Sequence, residues 1–223
     1  MESTPLTNEA CGHPTSKKET VLLGAASITQ DFKPLKNICA HLNAFHAYAD
    51  DPSRSVEADH FCSQINSDVR QCLLYDSPDS NAKLIGIEYM ITPRLFASLP
   101  PDERCLWHSH VYEVKSGMLV MPNRLVPQTA WDTAENKEME EIITLYGKTY
   151  HLWQTDRGDK LPLGEPKLMT SYTCDGQLDF AKVEERDKRL GTNYREKKDK
   201  RREIPIPEIH KGKFTSVKLA NSV

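Results

Sequence analysis

Residues 38–65 read I-C-A-H-L-N-A-F-H-A-Y-A-D-D-P-S-R-S-V-E-A-D-H-F-C-S-Q-I. In the first half Ile38, Ala40, Leu42, Ala44, His46 and Tyr48 fall on one side at period two, the pattern of a strand with one buried face. An alanine-rich helix also suits this composition. D-D-P-S is turn chemistry, and residues 56–65 then read as a returning strand. Centring the turn near Ser53 places His46 directly opposite His60, where Cβ atoms of an antiparallel pair lie about 4.5–5.5 Å apart. The pairing is sensitive to register, because a one-residue slip moves a strand's side chains to the other face.

Working outward, D-S-P-D-S-N at 76–81 separates two runs rich in Leu, Ile and Tyr, 71–75 and 83–91. Two hairpins in succession imply an antiparallel sheet. Thr92-Pro93 opens a short helical pattern, and P-D-E-R-C-L-W begins another after Pro100. Residues 112–114 and 118–121 read as strand around Gly117, as does 149–154, and the remainder to Cys174 is turn-rich. Thr129 with Asp132 suits a capping box, and Met139, Ile142, Ile143 and Tyr146 follow at helical spacing up to Gly147. That spacing predicts a helix over 130–146, packed on the sheet. The expected architecture is a single α+β domain at 36–186, an antiparallel sheet of hairpins with packed helices. A polar N-terminal tail (1–35) and a basic C-terminal extension (187–223) flank it, both without a core of their own. Within the tail, V-L-L-G-A-A at 21–26 is short and apolar enough to dock on the domain.

Composition narrows the function classes. The chain has 223 residues, 38% of them hydrophobic, and a net charge of −3, which disfavours a nucleic-acid binder. Its first residues lack the apolar region of a secretory signal, and no apolar run approaches the roughly 18 residues of a membrane span. Six scattered cysteines then read as reduced thiols, and the chain is expected in the cytoplasm or at a cytosol-facing surface, not secreted. Residues 182–213 carry twelve Lys or Arg against seven Asp or Glu, densest in R-E-K-K-D-K-R-R at 195–202. This is either a solvated helix or tail, or a patch for an anionic lipid surface.

Five of the eight histidines fall between residues 40 and 122. His108, His110 and Glu113 form an H-x-H-x-x-E array beside the His46–His60 pair, and imidazole with carboxylate suits zinc, iron, manganese or nickel. The candidate ligands of a divalent transition metal are therefore His46, His60, His108, His110 and Glu113. The array resembles the cupin metal motif but departs from its spacing: only two residues separate His110 from Glu113, only three separate Glu113 from Gly117, and no glycine stands six positions before His108. The same histidines can instead hydrogen-bond to one another as structural residues. Glu88 and Tyr89 are neighbours of the site or simply partners on the sheet. No P-loop, Rossmann glycine pattern, G-x-S-x-G or H-E-x-x-H is present.

The ordered runs H-L-N-A-F-H-A-Y, V-E-A-D-H-F-C, V-R-Q-C-L-L-Y-D, A-K-L-I-G-I-E-Y, L-P-P-D-E-R-C-L-W-H-S-H and Y-E-V-K-S-G-M-L-V-M-P resemble the oil-body-associated protein family over residues 36–186. Plant members are linked with seed oil bodies, and fungi and bacteria carry similar sequences. The resemblance implies association with a lipid droplet and brings no reaction or catalytic residues with it. The reading is a soluble, peripherally associated protein whose partner is a lipid-droplet or anionic membrane surface. The alternative is a metal-dependent enzyme acting on a small molecule through the His/Glu cluster.

Overall fold

The computed structural model describes residues 10–123 and 125–215. In chain order the elements are α1 (Lys17–Thr29), α2 (Lys33–Lys36), β1 (Ala40–Tyr48), β2 (Ser55–Asn66), β3 (Val69–Tyr75) and β4 (Leu84–Ile91). Then follow α3 (Pro93–Ser98), α4 (Pro101–Arg104), β5 (His108–Ser109), α5 (Val111–Lys115) and α6 (Gln128–Ile142). The chain continues with β6 (Tyr146–His151), β7 (Lys167–Thr170), α7 (Phe180–Leu190) and α8 (Tyr194–Lys200).

The opening stretch is two strands, and the hairpins β1–β2, β2–β3 and β3–β4 pair antiparallel in succession. The fold is α+β with an antiparallel sheet of hairpins, and the sheet does not stay open. β4 pairs with β6, β6 with β7, and β7 returns to β1, so six antiparallel strands close into a barrel. Closure pairs the edge strands that an open sheet would leave bare. β7 lies where the sequence shows only turns, because a four-residue strand gives too short an alternation to register.

The first hairpin turns around Asp51, not Ser53. Its carboxylate accepts from the Ser53 N–H and hydroxyl, and Arg54 N–H bonds back to the Asp51 carbonyl. His60 consequently faces Leu42, and His46 faces Val56. The expected direct opposition of His46 and His60 is therefore wrong in register but right in face, since the displacement is an even number of residues.

Other local readings also change. Residues 111–115 are helical and 118–121 join no strand: only Val120 bridges to Asn43, through mutual backbone bonds of 2.8 and 3.0 Å. A short apolar run has no period that separates strand from a buried helical turn. Gly117 sits between the two at φ +79, and a Cβ there would also fall on the backbone of α8. The helix expected at 130–146 runs from Gln128 to Ile142 with Pro127 as N-cap, and no Thr129–Asp132 capping box forms. Asp132 is drawn away by Lys197, whose Nζ lies 2.6 Å from it, and Gly147 belongs to β6.

That lysine exposes the largest correction. The basic stretch is not a solvated tail: Lys197 and Arg201 are buried. Lys197 pairs with Asp132 and Glu135 of α6, and Arg201 lies 3.1 Å from Glu135. Arg201 Nη1 also donates to the Leu119 carbonyl at 2.7 Å, and Arg186 of α7 donates to Met118 O and Asn43 Oδ1 at 2.9 and 2.8 Å. Lys115 Nζ donates in turn to the carbonyls of Arg201, Arg202 and Ile204. These bonds strap α7 and α8 over residues 111–121, the segment that follows His110. Cys62 and Cys72, expected as thiols, are directly opposed across β2 and β3 with Cα atoms 4.0 Å apart, and they form a disulfide. Spacing along the chain could not show that juxtaposition.

At the other end, α1 starts with a complete capping box between Ser16 and Glu19. It does not dock: none of its residues is buried. Among the described residues no helix is long and apolar enough to cross a membrane.

Candidate metal centre in the barrel

Ladder register fixes which side chains share the barrel interior. Leu42, Ala44, His46 and Tyr48 of β1 lie on the same face as Ala58 and His60 of β2. Following the pairings round, that face carries Cys72 and Leu74 of β3, Glu88 of β4, and Gly147, Thr149 and His151 of β6. All of these except Gly147 are fully or almost fully buried side chains of 3% exposure or less, where an ionisable group without partners is costly.

The structure brings four of the five expected ligands together. His46 and His60 sit edge to face with ring centroids 4.9 Å apart, His46 and His108 are 6.4 Å apart, and His108 and His110 are 5.1 Å apart. His108 is delivered by β5, and His110 is the N-cap of α5. The carboxylate among them is Glu88. His108 Nε2 and His110 Nε2 each lie 3.4 Å from its Oε1, and His60 Nε2 lies 3.3 Å from its Oε2. Glu113 is buried on α5 but belongs to neither of the two ligand groupings, His46–His60–Glu88 and Glu88–His108–His110. The H-x-H-x-x-E spacing does not carry Glu113 into these groupings, because residues 111–115 coil into a helix. The sixth member is His151, whose Nε2 lies 3.1 Å from His46 Nδ1. Its signal in the sequence was its period-two relation to Gly147 and Thr149 on β6.

Backbone carbonyls set the proton positions. Ala58 O lies 3.1 Å from His60 Nδ1 and Leu145 O lies 2.9 Å from His110 Nδ1. A carbonyl only accepts, so each Nδ1 carries the proton and, in the neutral ring, each Nε2 presents a lone pair to Glu88. His46 Nε2 lies 3.1 Å from His60 Nε2, so its N–H donates there, and His46 Nδ1 then accepts from His151 Nε2. Glu88 Oε1, Glu113 Oε1 and both ring nitrogens of His108 have no hydrogen-bond partner.

The electrostatics follow from this crowding. Burial would raise the Glu88 pKa, but the imidazoles of His108, His110 and His60 outweigh it and hold the carboxyl well below its usual range. Burial would lower His110, yet Glu88 and Glu113 push it up to about 9, and the same balance raises His60. His46 lies well below the ordinary histidine value and His151 falls to about 3, chiefly through burial and then through the neighbouring His60. The centre of the barrel is thus a place that draws positive charge toward Glu88, while its rim histidines stay neutral.

Gly147 makes the packing feasible. A Cβ there would land on Glu88 Oε1 and lie 2.7 Å from His108 Nε2. Only a residue without a side chain lets β6 pass against both groups.

Comparison with known proteins gives a consistent picture. A family model described as "Protein of unknown function (DUF1264)" matches residues 32–205. The chain is 44% identical to oil body-associated protein 1B of Arabidopsis thaliana over 89% of its own length and 80% of that protein's. It is 44% identical to oil body-associated protein 1A of Zea mays over 90% and 82%, and 40% identical to oil body-associated protein 2A of Arabidopsis thaliana over 93% and 86%. No solved structure shows a significant match.

Proposed function

This chain belongs to the oil body-associated protein family, and on that premise we propose that it is a peripheral protein of lipid-droplet surfaces, docked through its N-terminal helix. The observation that carries the docking site is the exposure of α1. Val21, Leu22, Leu23 and Ile28 are 58–86% exposed, and Phe32 and Leu35 extend the apolar run toward α2. Single exposed apolar residues are ordinary, whereas six within fifteen positions, with those of α1 spread round the helix, make this the segment with the densest exposed apolar side chains among the described residues. Burying one such side chain contributes about 1.5–3 kcal/mol, so Val21, Leu22 and Ile28, which lie within one side of α1, offer roughly 4.5–9 kcal/mol before ordering costs. That range supports reversible surface binding without a spanning segment.

The electrostatic route expected from residues 195–202 loses ground, because Lys197 and Arg201 face inward and Lys200 is paired with Asp132. The small-molecule enzyme alternative draws on the barrel interior. There His46, His60, His108, His110 and Glu113 are each 2% exposed or less, so a substrate reaches them only if the barrel opens. The surface reading is therefore preferred.

Flotation of the full chain with phospholipid-coated triacylglycerol droplets tests it. Wild type should float at low and high salt, and Leu22→Ser/Leu23→Ser/Ile28→Ser should remain in the aqueous layer. The family match begins at residue 32, beyond α1. Unchanged flotation of the triple variant would therefore overturn the α1 site and place docking within 32–205. Release by salt would restore the cationic route.

A further inference from the structure

From the barrel geometry we infer that Glu88, His108 and His110 form a binding site for one divalent transition ion of the zinc class, with His60 enclosing it from the second carboxylate oxygen. The inference is independent of lipid docking and rests on three observations.

The first is spacing. An ion bound tetrahedrally at about 2.0–2.1 Å from each donor sets its donors about 3.4 Å apart. His108 Nε2 and His110 Nε2 each stand 3.4 Å from the same carboxylate oxygen, Glu88 Oε1. Charge-assisted hydrogen bonds between the same groups are shorter, about 2.7–2.9 Å. The side chains stand at the separation of groups sharing an ion, not at that of groups sharing a proton.

The second is the placement of the outer partners. A ligating histidine donates its other ring N–H to a carbonyl or carboxylate, which fixes the tautomer and aims the lone pair. His110 does this through Leu145 O, while His60, held by Ala58 O, accepts from His46 at Nε2 and stands beside Glu88 Oε2. His46 and His151 extend the arrangement outward from His60 as a hydrogen-bonded chain.

The third is the unpaired chemistry left in the centre. Glu88 is 1% exposed and its Oε1 has no hydrogen-bond partner, and His108 is fully buried with both ring nitrogens unpartnered. Structural histidines that satisfied one another would leave no such atoms facing each other. A cation between them satisfies Oε1, His108 Nε2 and His110 Nε2 together and offsets the buried negative charge. Two imidazoles and a carboxylate suit Zn2+ better than the larger oxygen-seeking ions. The donors are 2% exposed or less, which describes a resident ion enclosed by the fold.

The test uses the full-length chain, stripped with a chelator and titrated with ZnCl2. Uptake should reach about one equivalent and raise the thermal midpoint, and CoCl2 in its place should give the visible absorption of tetrahedral Co2+. Glu88→Gln keeps the side chain's size and is the primary variant. His108→Ala is the second, and circular dichroism confirms that each is folded. Loss of a direct donor should weaken Zn2+ binding beyond the about 10–100-fold that outer partners cost. His41→Ala is the control: its ring lies outside the cluster, stacked on Phe61 and 2.7 Å from Asp59, and Zn2+ binding should be unchanged. Absence of Zn2+ uptake by wild type overturns the inference. So does a folded Glu88→Gln that binds like wild type, or a loss in His41→Ala equal to that in Glu88→Gln, which would locate binding at the surface.

Discussion

Gly147→Ala asks whether the interior is packed as described. Gly147 lies in the body of β6, paired with Met90 on one side and His108 on the other, at an ordinary strand conformation. In such a strand alanine is favoured over glycine by about 0.5–1 kcal/mol, so a position with space would gain stability. Here the new methyl would fall on Glu88 Oε1 and stand 2.7 and 2.9 Å from His108 Nε2 and Cε1, inside van der Waals contact. Neither group is the free end of a flexible chain: Glu88 is held among three imidazoles, and His108 is completely buried. Overpacking of this kind costs about 1–3 kcal/mol. The balance is a net loss centred on about 1 kcal/mol and reaching about 2.5 kcal/mol. At about 2–4 °C per kcal/mol for a chain of this size, the thermal midpoint should fall by several degrees. Urea titration followed by circular dichroism gives the free energy, and Zn2+ titration of the same sample reports on the donors. An alanine variant equal to or more stable than wild type, with Zn2+ binding intact, would refute the placement of Glu88 and His108 against β6.

Further outcomes follow from the clamp and the cysteines. Lys197→Met leaves Glu135 with Arg201 as its remaining cation in a buried site and should cost about 3 kcal/mol in urea titration, whereas Lys198→Met at the exposed neighbouring position should cost almost nothing. Lys197 and then Lys200 hold the Asp132 pKa below the usual carboxylate value of 3.8 against the effect of burial. Its stabilising contribution is complete above about pH 4 and is lost as pH falls below that value, so Asp132→Asn should flatten stability against pH between about pH 4 and pH 2. Cys11, Cys39, Cys105 and Cys174 should alkylate in denaturant without reductant, and all six cysteines after reduction. Mass spectrometry counts the adducts, and six before reduction would contradict the Cys62–Cys72 bridge.

Period-two alternation and turn chemistry were enough to read the antiparallel hairpins, the α+β class and the shared face of His46 and His60. These are local properties: the face depends only on parity, which survives when the turn centre moves from Ser53 to Asp51. The ordered motifs likewise carried the family. What lay beyond the sequence was whatever depends on two distant segments meeting. Closure of β4 on β6 sets Glu88 opposite Thr149 and Gly86 opposite His151, and so chooses Glu88 over Glu113 as the central carboxylate. No periodicity encodes that choice, because it arises when strands about sixty residues apart in the chain pair. Lys197 and Arg201 make the same point in charge: a run of lysines and arginines reads as solvated until Asp132 and Glu135, over 60 residues away, are placed to receive two of them. Burial of a cation is decided by its partner's position in space, and that position exists only in the folded chain.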